Sequence, residues 1–161
     1  MSPETSTTAT ATSSIVVEAP IDLAFRVFTE EIGSWFPSEY NLMASRIATR
    51  TFEPWVGGQI IDRSESGAEC RWSRVLAYEP PDRVLFTWDI SPWWTIETDP
   101  ERTSEVEVRF ISETEARTRV ELVHRHLDRH GEGWQQLRDA IAGDGGWTGC
   151  LQAFARLAEA Q

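Results

Sequence analysis

The chain has 161 residues and a mass of 18.3 kDa, which fits one domain and leaves little room for a second. Its formal net charge is −11 and its pI about 4.7, so we expect no binding to nucleic acid or to an anionic membrane surface. The chain has eight tryptophans and no lysine, and the missing lysine excludes Schiff-base chemistry on a lysine amine.

Residues 1–14 are polar and lack the basic and apolar segments of a secretory signal. We therefore predict a disordered polar leader over residues 1–14 and a single domain over residues 15–161. No apolar run approaches the roughly 20 residues that span a bilayer. Two cysteines, Cys70 and Cys150, are too few for a disulfide framework, so we expect buried free thiols in a cytoplasmic protein.

The first elements follow one another closely. Residues 15–17 are β-branched and predict a strand, and Pro20 then opens a short helix with apolar residues at helical spacing over 21–28. Trp35 and Phe36, between Gly33 and Pro37, predict a second short helix or turn.

Strand and turn signals dominate the middle of the chain. Turns recur about every ten residues, which is typical of an antiparallel meander. The predicted strands cover residues 46–52, 59–63, 69–78, 83–89, 105–110 and 117–125. By alternation His124 faces the same side as Val120 and Leu122.

The end of the chain predicts helices. A helix over 132–142 is broken by glycines at 143–146, and an amphipathic helix follows from Trp147. The expected fold is α+β: a curved antiparallel sheet of six to seven strands wrapped around a long C-terminal helix, with two short helices after strand one. This helix-grip architecture usually leaves a cavity between sheet and helix.

Two portions of the sequence are distinctive. The first is Gly57–Asp89, with its paired glycine, hairpin, Glu79-Pro80-Pro81 turn and closing Thr87-Trp88. The second is Gly145-Gly146-Trp147, which opens the last helix. In these portions the chain resembles the START-like, or SRPBCC, superfamily, and within it the small bacterial proteins related to the activator of heat-shock protein 90 ATPase homologue. The resemblance implies a fold and a cavity, and it fixes no chemistry, cofactor or metal.

Aromatic side chains are the candidate ligand-binding residues, because indole offers a large apolar face and one hydrogen-bond donor. For the strand tryptophans, Trp72 and Trp88, core packing is the other interpretation. For Trp35, Trp55, Trp93 and Trp94, in turns or loops, core packing and a partner surface are both alternatives to a pocket rim. With the neighbouring His124 and two apolar residues of the last helix, the predicted set is Trp35, Phe36, Trp55, Trp72, Trp88, Trp93, Trp94, His124, Trp147, Leu151 and Phe154.

Three histidines occur in one stretch, where His124, His126 and Asp128 would face the same way if the strand continued. Because Gly131 indicates that the strand ends near Leu127, we expect polar pocket or strand-end residues and no metal. Glu39, Tyr40, Glu53 and Arg74 are further polar residues that could reach a cavity. Serine-hydrolase, P-loop and dinucleotide-binding motifs are absent from the sequence.

Three functions remain open. The first is non-covalent binding of a hydrophobic or aromatic small molecule, without a cofactor, by a monomer or homodimer. The second is an enzyme of the cyclase, dehydratase or hydrolase type with His124 as acid or base. The third is a protein-interaction module, related to chaperone regulators and the stress response, that uses exposed tryptophans.

Overall fold

One antiparallel sheet organises the molecule. The computed structural model describes residues 9–38, 40–43 and 46–161, and in this part of the chain seven strands follow the order β1-β7-β6-β5-β4-β3-β2. The strands are β1 (Ala11–Val17), β2 (Ile47–Phe52), β3 (Gln59–Ser64), β4 (Glu69–Glu79), β5 (Arg83–Trp88), β6 (Ser104–Thr114) and β7 (Arg117–Arg125). Register shifts in the β2–β3, β3–β4, β4–β5 and β6–β7 pairs increase the local twist and bend of the sheet.

Four α-helices accompany the sheet in the described residues. They are α1 (Ile21–Glu30), α2 (Ile32–Trp35), α3 (Trp134–Ala142) and α4 (Gly149–Glu159). A π-helical turn, Asp144–Thr148, separates α3 from α4, at the glycines where the sequence predicts a break. Short 3₁₀ turns occupy Pro100–Arg102 and Leu127–His130. The helix-grip prediction is confirmed, with the C-terminal helical segment divided into two pieces.

The first strand begins at Ala11, four residues before its predicted start, so the predicted leader is wrong for residues 11–14. These residues pair with β7, with Ala11 opposite His124 and Ser14 opposite Glu121. Backbone hydrogen bonds make this pairing, and they tolerate the polar side chains that indicated disorder. The leader prediction for residues 1–8 lies outside the described residues.

The core lies between the sheet and helices α1, α2 and α4. Phe28 of α1 is fully buried, and its ring lies 5.4 Å from that of Phe154 in α4 and 5.7 Å from that of Phe110 in β6. This packing fastens α4 to one part of the sheet. Apolar burial of this kind supplies most of the stability of a domain of this size.

Candidate functional site

A cavity of about 430 Å³ opens where β3, β4 and β5 meet the turn between α3 and α4. Its volume lies in the range of small-molecule sites. The segment after α2 and the loop after β5 complete its wall, and most of the lining is apolar. The interruption between α3 and α4 therefore lies at the cavity, whereas the continuous part of α4 packs into the core.

Four aromatic side chains form a closed circuit in this lining, which we call the aromatic wall: Phe36, Trp72, Trp88 and Trp147. Ring centroids are 5.8 Å apart for Phe36–Trp72, 5.6 Å for Trp72–Trp88, 5.8 Å for Trp88–Trp147 and 6.0 Å for Phe36–Trp147. Interplanar angles of 44° to 80° are those of tilted and edge-to-face contacts. The rings thus support one another and present both faces and edges to the cavity.

A buried ion pair lies beside the aromatic wall. Arg50 of β2 and Asp62 of β3 are directly opposite each other in the sheet, and both side chains are 1% exposed. The guanidinium donates from Nε to Oδ1 at 2.7 Å and from Nη2 to Oδ2 at 2.9 Å. Trp72 also donates its indole N–H to Oδ1, at 3.1 Å. Among the described lining residues, Asp62 is the one with a carboxylate side chain, and none is an arginine or a histidine.

The remaining donors of Arg50 hold the rim of the cavity. Nη1 donates to the carbonyl oxygens of Phe36 and Pro37, both at 3.2 Å, and Nη2 donates to that of Tyr40 at 2.8 Å. All five N–H groups of the guanidinium therefore have partners. The guanidinium also lies 4.7 Å from the centre of the Phe36 ring. One arginine thus connects the sheet, the carboxylate and the rim.

Behind the aromatic wall, a hydrogen-bonded chain runs through the interior. The indole N–H of Trp147 donates to Nδ1 of His124 at 3.1 Å, and Nε2 of His124 lies 2.7 Å from the hydroxyl of Ser104. That hydroxyl also lies 2.8 Å from Nε2 of His130. Because indole can only donate, Nδ1 of His124 is the acceptor and the ring proton lies on Nε2. Nε2 therefore donates a hydrogen bond to the Ser104 hydroxyl, which in turn donates to Nε2 of His130. Nδ1 of His130 has no partner among the described residues.

Both histidines are neutral near pH 7. Burial lowers the pKa of His124 to about 3, and the neighbouring His130 adds to this effect. Burial also lowers the pKa of His130 to about 4, although the carboxylates of Glu97 and Asp89 oppose it. In the cavity lining, burial raises the pKa of the Cys150 thiol to about 12, so this cysteine is a poor nucleophile.

The structure brings five of the predicted site residues to the cavity: Phe36, Trp72, Trp88, Trp94 and Trp147. Trp94 lies at its mouth, 49% exposed and with a left-handed backbone at φ 62°. Its neighbour Trp93 does not line the cavity and is 60% exposed. Trp55 is also exposed and lies on the turn between β2 and β3.

The other predicted residues lie in the core. Trp35 donates its indole N–H to the carbonyl of Val27 at 2.9 Å and packs against Phe154, so it is a core residue. Leu151 and Phe154 face the same core from α4. His124 faces inward as predicted, but both ring nitrogens are engaged and the aromatic wall separates them from the cavity. Acid–base chemistry by His124 on a cavity ligand is therefore not supported by this geometry.

Of the polar candidates, Tyr40 lines the cavity, and Glu39 lies outside the described residues. Glu53 accepts the backbone N–H of Gln59, and Arg74 pairs with Asp89. The candidate set missed lining residues on the rim, on β3, after β5, on α3 and on the terminal turn and helix: Asn41, Leu42, Asp62, Ile90, Ala140, Ile141, Gly145, Gly146 and Cys150. Asp62 had a usable signal, since alternation places it inward with Ile60 and opposite Arg50.

The histidine stretch does not form one face. His124 is buried in β7, whereas His126 is exposed with φ 64° and starts the turn Leu127–His130. Within the described residues, no three potential metal-binding side chains come together. None of the helices in the same part of the chain has the length and apolar character needed to cross a bilayer.

Sheet, helices and cavity define a START-like helix-grip domain. The chain belongs to the family described as Activator of Hsp90 ATPase homolog 1-like protein, whose model matches residues 18–159. A comparison with curated proteins finds no match.

Three solved structures illustrate the relationships. An anthrahydroquino-Gama-pyrone synthase, Txn09, is 36% identical, with a TM-score of 0.65, over 92% of this chain and 96% of the synthase. CalC from Micromonospora echinospora, a self-sacrificing resistance protein, is 22% identical, with a TM-score of 0.60, over 94% of both chains. An HSP90 activator from Plasmodium falciparum is 19% identical, with a TM-score of 0.50, over 73% of this chain and 72% of its own. The last two share the fold.

Proposed function

We propose that this protein binds a planar, fused-ring aromatic molecule in the cavity between its sheet and its C-terminal helices. The observation that carries the proposal is the aromatic wall, in which four rings in mutual contact line one side of a mostly apolar cavity of about 430 Å³. Flat aromatic ligands gain from both apolar burial and ring–ring contacts in such a space.

The relationship to the synthase supports this ligand class. The name of that synthase refers to an anthrahydroquinone joined to a pyrone, which is a fused aromatic product, and the two chains are 36% identical over nearly their whole lengths. We infer that the ligand of this protein belongs to the same chemical class. We expect binding to occur in the cytoplasm, the compartment proposed from the cysteine content of the sequence.

The same relationship favours a second candidate function, an enzyme that closes a pyrone ring. In that reaction a phenol oxygen adds to a side-chain diketone, one C–O bond forms and water leaves. Asp62 and Tyr40 are the polar side chains of the lining that would then handle protons, in place of His124. Loss of water from an anthrahydroquinone bearing a diketone side chain, followed by mass spectrometry, tests this candidate.

The interaction-module hypothesis stays a prediction. Exposed Trp55 and Trp93 meet its requirement for an apolar contact surface. Recovery of a stoichiometric partner from cell extract by the intact protein, and its loss in a Trp93→Ser variant, would support it.

Quenching of tryptophan emission by anthraquinone tests the binding proposal. Two adjacent indoles supply a matched pair of variants, because Trp94 lines the cavity and Trp93 does not, although both are exposed. We expect Trp94→Leu to weaken binding about five- to tenfold and Trp93→Leu to change it less than twofold. Absence of saturable quenching in the unmodified protein, or equal effects of the two variants, would contradict the proposal.

A further inference from the structure

We infer that Asp62 makes the cavity selective for neutral aromatic ligands that carry a hydroxyl group, and that it disfavours carboxylates. This inference rests on the proposed binding function and names the chemistry of the ligand more narrowly. It depends on the ion pair of Asp62 with Arg50 and on how many of their hydrogen-bonding positions are already in use.

The carboxylate of Asp62 retains an unused acceptor position. Two carboxylate oxygens offer about four such positions. Oδ1 accepts from Arg50 at 2.7 Å and from Trp72 at 3.1 Å, and Oδ2 accepts from Arg50 at 2.9 Å. No other donor reaches Oδ2 from the described residues, so a ligand donor would complete its hydrogen bonding. Such a bond to a charged acceptor away from bulk water is stronger than one between neutral groups.

Arg50 offers nothing to an anionic ligand. Its five N–H groups are used by Asp62 and by three backbone carbonyls of the rim. A ligand carboxylate would meet the carboxylate of Asp62 without finding a free donor on the guanidinium, and it would also lose its hydration in an apolar cavity. Anionic ligands are therefore disfavoured, even though an arginine lies directly behind the lining.

A cationic ligand gains little for the opposite reason. The positive charge of Arg50 already balances the negative charge of Asp62, and both side chains are 1% exposed. An ammonium group would be repelled by the guanidinium while losing its own hydration. A neutral hydroxyl carries no charge to desolvate, and it can donate to the one acceptor position that remains on Asp62.

Trp72 links the aromatic wall to the carboxylate of Asp62. Its ring belongs to the aromatic wall, and its indole nitrogen lies 3.1 Å from Oδ1 of Asp62. A ligand that packs against Trp72 therefore has its edge close to the carboxylate. Apolar packing and the hydrogen bond act on different parts of the same ligand, so each can be measured separately.

The test uses naphthalene probes with the full-length protein, because these small rings can reorient within the cavity. Calorimetry at pH 7 compares 2-naphthol with 2-methylnaphthalene, which has a methyl group of similar size, with 2-naphthoate, and with 2-naphthylmethylammonium. We expect 2-naphthol to bind about tenfold more tightly than each of the other three.

A double variant removes both charges while keeping polar side chains in place. Arg50→Gln/Asp62→Asn should reduce the preference for naphthol over methylnaphthalene to less than threefold. The matched control is Arg74→Gln/Asp89→Asn, because this second bidentate pair does not line the cavity, and it should keep the preference. If the first variant does not fold, Asp62→Asn alone serves instead, because its neutral amide should likewise reduce the preference to less than threefold; retention of the full preference would overturn the role of Asp62.

The outcomes distinguish failure of the selectivity of Asp62 from failure of the proposed aromatic binding. Equal affinity for naphthol and methylnaphthalene, or tighter binding of the naphthoate or the ammonium probe, would overturn the selectivity and leave aromatic binding intact. If none of the four probes binds, both the selectivity and the proposed function are wrong. Retention of the full preference in a folded Arg50→Gln/Asp62→Asn protein would also overturn the role of Asp62.

Discussion

Trp147 donates its indole N–H to Nδ1 of His124 across 3.1 Å, so a wall residue of the cavity is held by a histidine that does not line it. His124→Phe keeps a ring at this site and removes the acceptor. We expect it to lower the free energy of unfolding by about 2–4 kcal/mol, because two buried polar groups lose their partner. Urea denaturation measures the change.

A double-mutant cycle separates the hydrogen bond from general packing. Trp147→Phe removes the donor, and the combined variant leaves no unpaired group between the two positions. The double variant should therefore cost less than the sum of the single variants, by about 1 kcal/mol or more. Additive effects would show that the contact contributes nothing beyond packing.

Acid should destabilise the protein before its carboxylates titrate. His124 and His130 have folded pKa values of about 3 and 4, below the ordinary value of 6.5. The unfolded chain therefore binds more protons below pH 6.5, and stability falls as the pH decreases from there toward 4, by about 1.4 kcal/mol per pH unit for each histidine. Urea denaturation at pH 7, 6 and 5 tests this, and equal stability at all three would contradict it. The His124→Phe variant should show about half the slope.

Arg50→Lys should be strongly destabilising, although it conserves the charge. Lysine cannot reproduce the five directed donors that join Asp62 to the rim at Phe36, Pro37 and Tyr40. We expect a loss of about 3–5 kcal/mol and faster hydrogen exchange in the rim segment. Arg117→Lys is the matched control, because its pair with Glu18 is exposed to solvent and should contribute little to stability. Equal losses in the two variants would refute this account.

Cys150 reports occupancy of the cavity. Burial raises the pKa of its thiol to about 12, so its alkylation at pH 8 should be more than about tenfold slower than that of a free cysteine. A saturating aromatic ligand should slow the reaction further, since Cys150 lines the cavity. Cys70 is also buried but does not line it, and its rate should be unchanged. Mass spectrometry of the labelled peptides distinguishes the two, and equal protection of both would argue against cavity binding.

Two adjacent glycines in the terminal turn should respond differently to alanine. A Cβ at Gly146 would clash with the backbone of Ile141, coming within 2.7 Å of its Cα atom, whereas a Cβ at Gly145 meets nothing nearer than the Tyr40 hydroxyl at 3.6 Å. Gly146→Ala should cost about 2–3 kcal/mol and shift the emission of Trp147, and Gly145→Ala less than about 1 kcal/mol. Thermal unfolding checks the order of the two, and a milder effect at Gly146 would contradict it.

Strand alternation and turn spacing predicted the sheet, because the side of each strand that faces the core must be apolar for the domain to fold. The same alternation correctly placed His124 inward. It could not predict that Trp147 donates to Nδ1 of His124, because this contact depends on how the turn that contains Trp147, 23 residues later, packs against β7. Sequence reasoning also assigned Trp35 to the cavity, because composition cannot reveal that its indole N–H bonds to the carbonyl of Val27.

Asp62 was the larger omission. Arg50 and Asp62 occupy inward positions beside Phe52 and Ile60, and two opposite charges at such positions of neighbouring strands predict a buried pair. That much was available from the pattern. The position of the pair beside the cavity was not, because it depends on where the segment after α2 crosses the sheet.

The pairing of residues 11–14 with β7 gives a polar, low-complexity sequence a mechanical role. Ser13 lies on the strand that borders β7, and its hydroxyl is 3.2 Å from that of Thr148, in the turn that carries Trp147. Removing the residues before Ile15 would leave the end of β7 that contains His124 unpaired on the side of β1, and it would remove the Ser13–Thr148 hydrogen bond. A stretch whose composition predicts a disordered leader thus contacts the turn that contributes Trp147 to the cavity lining.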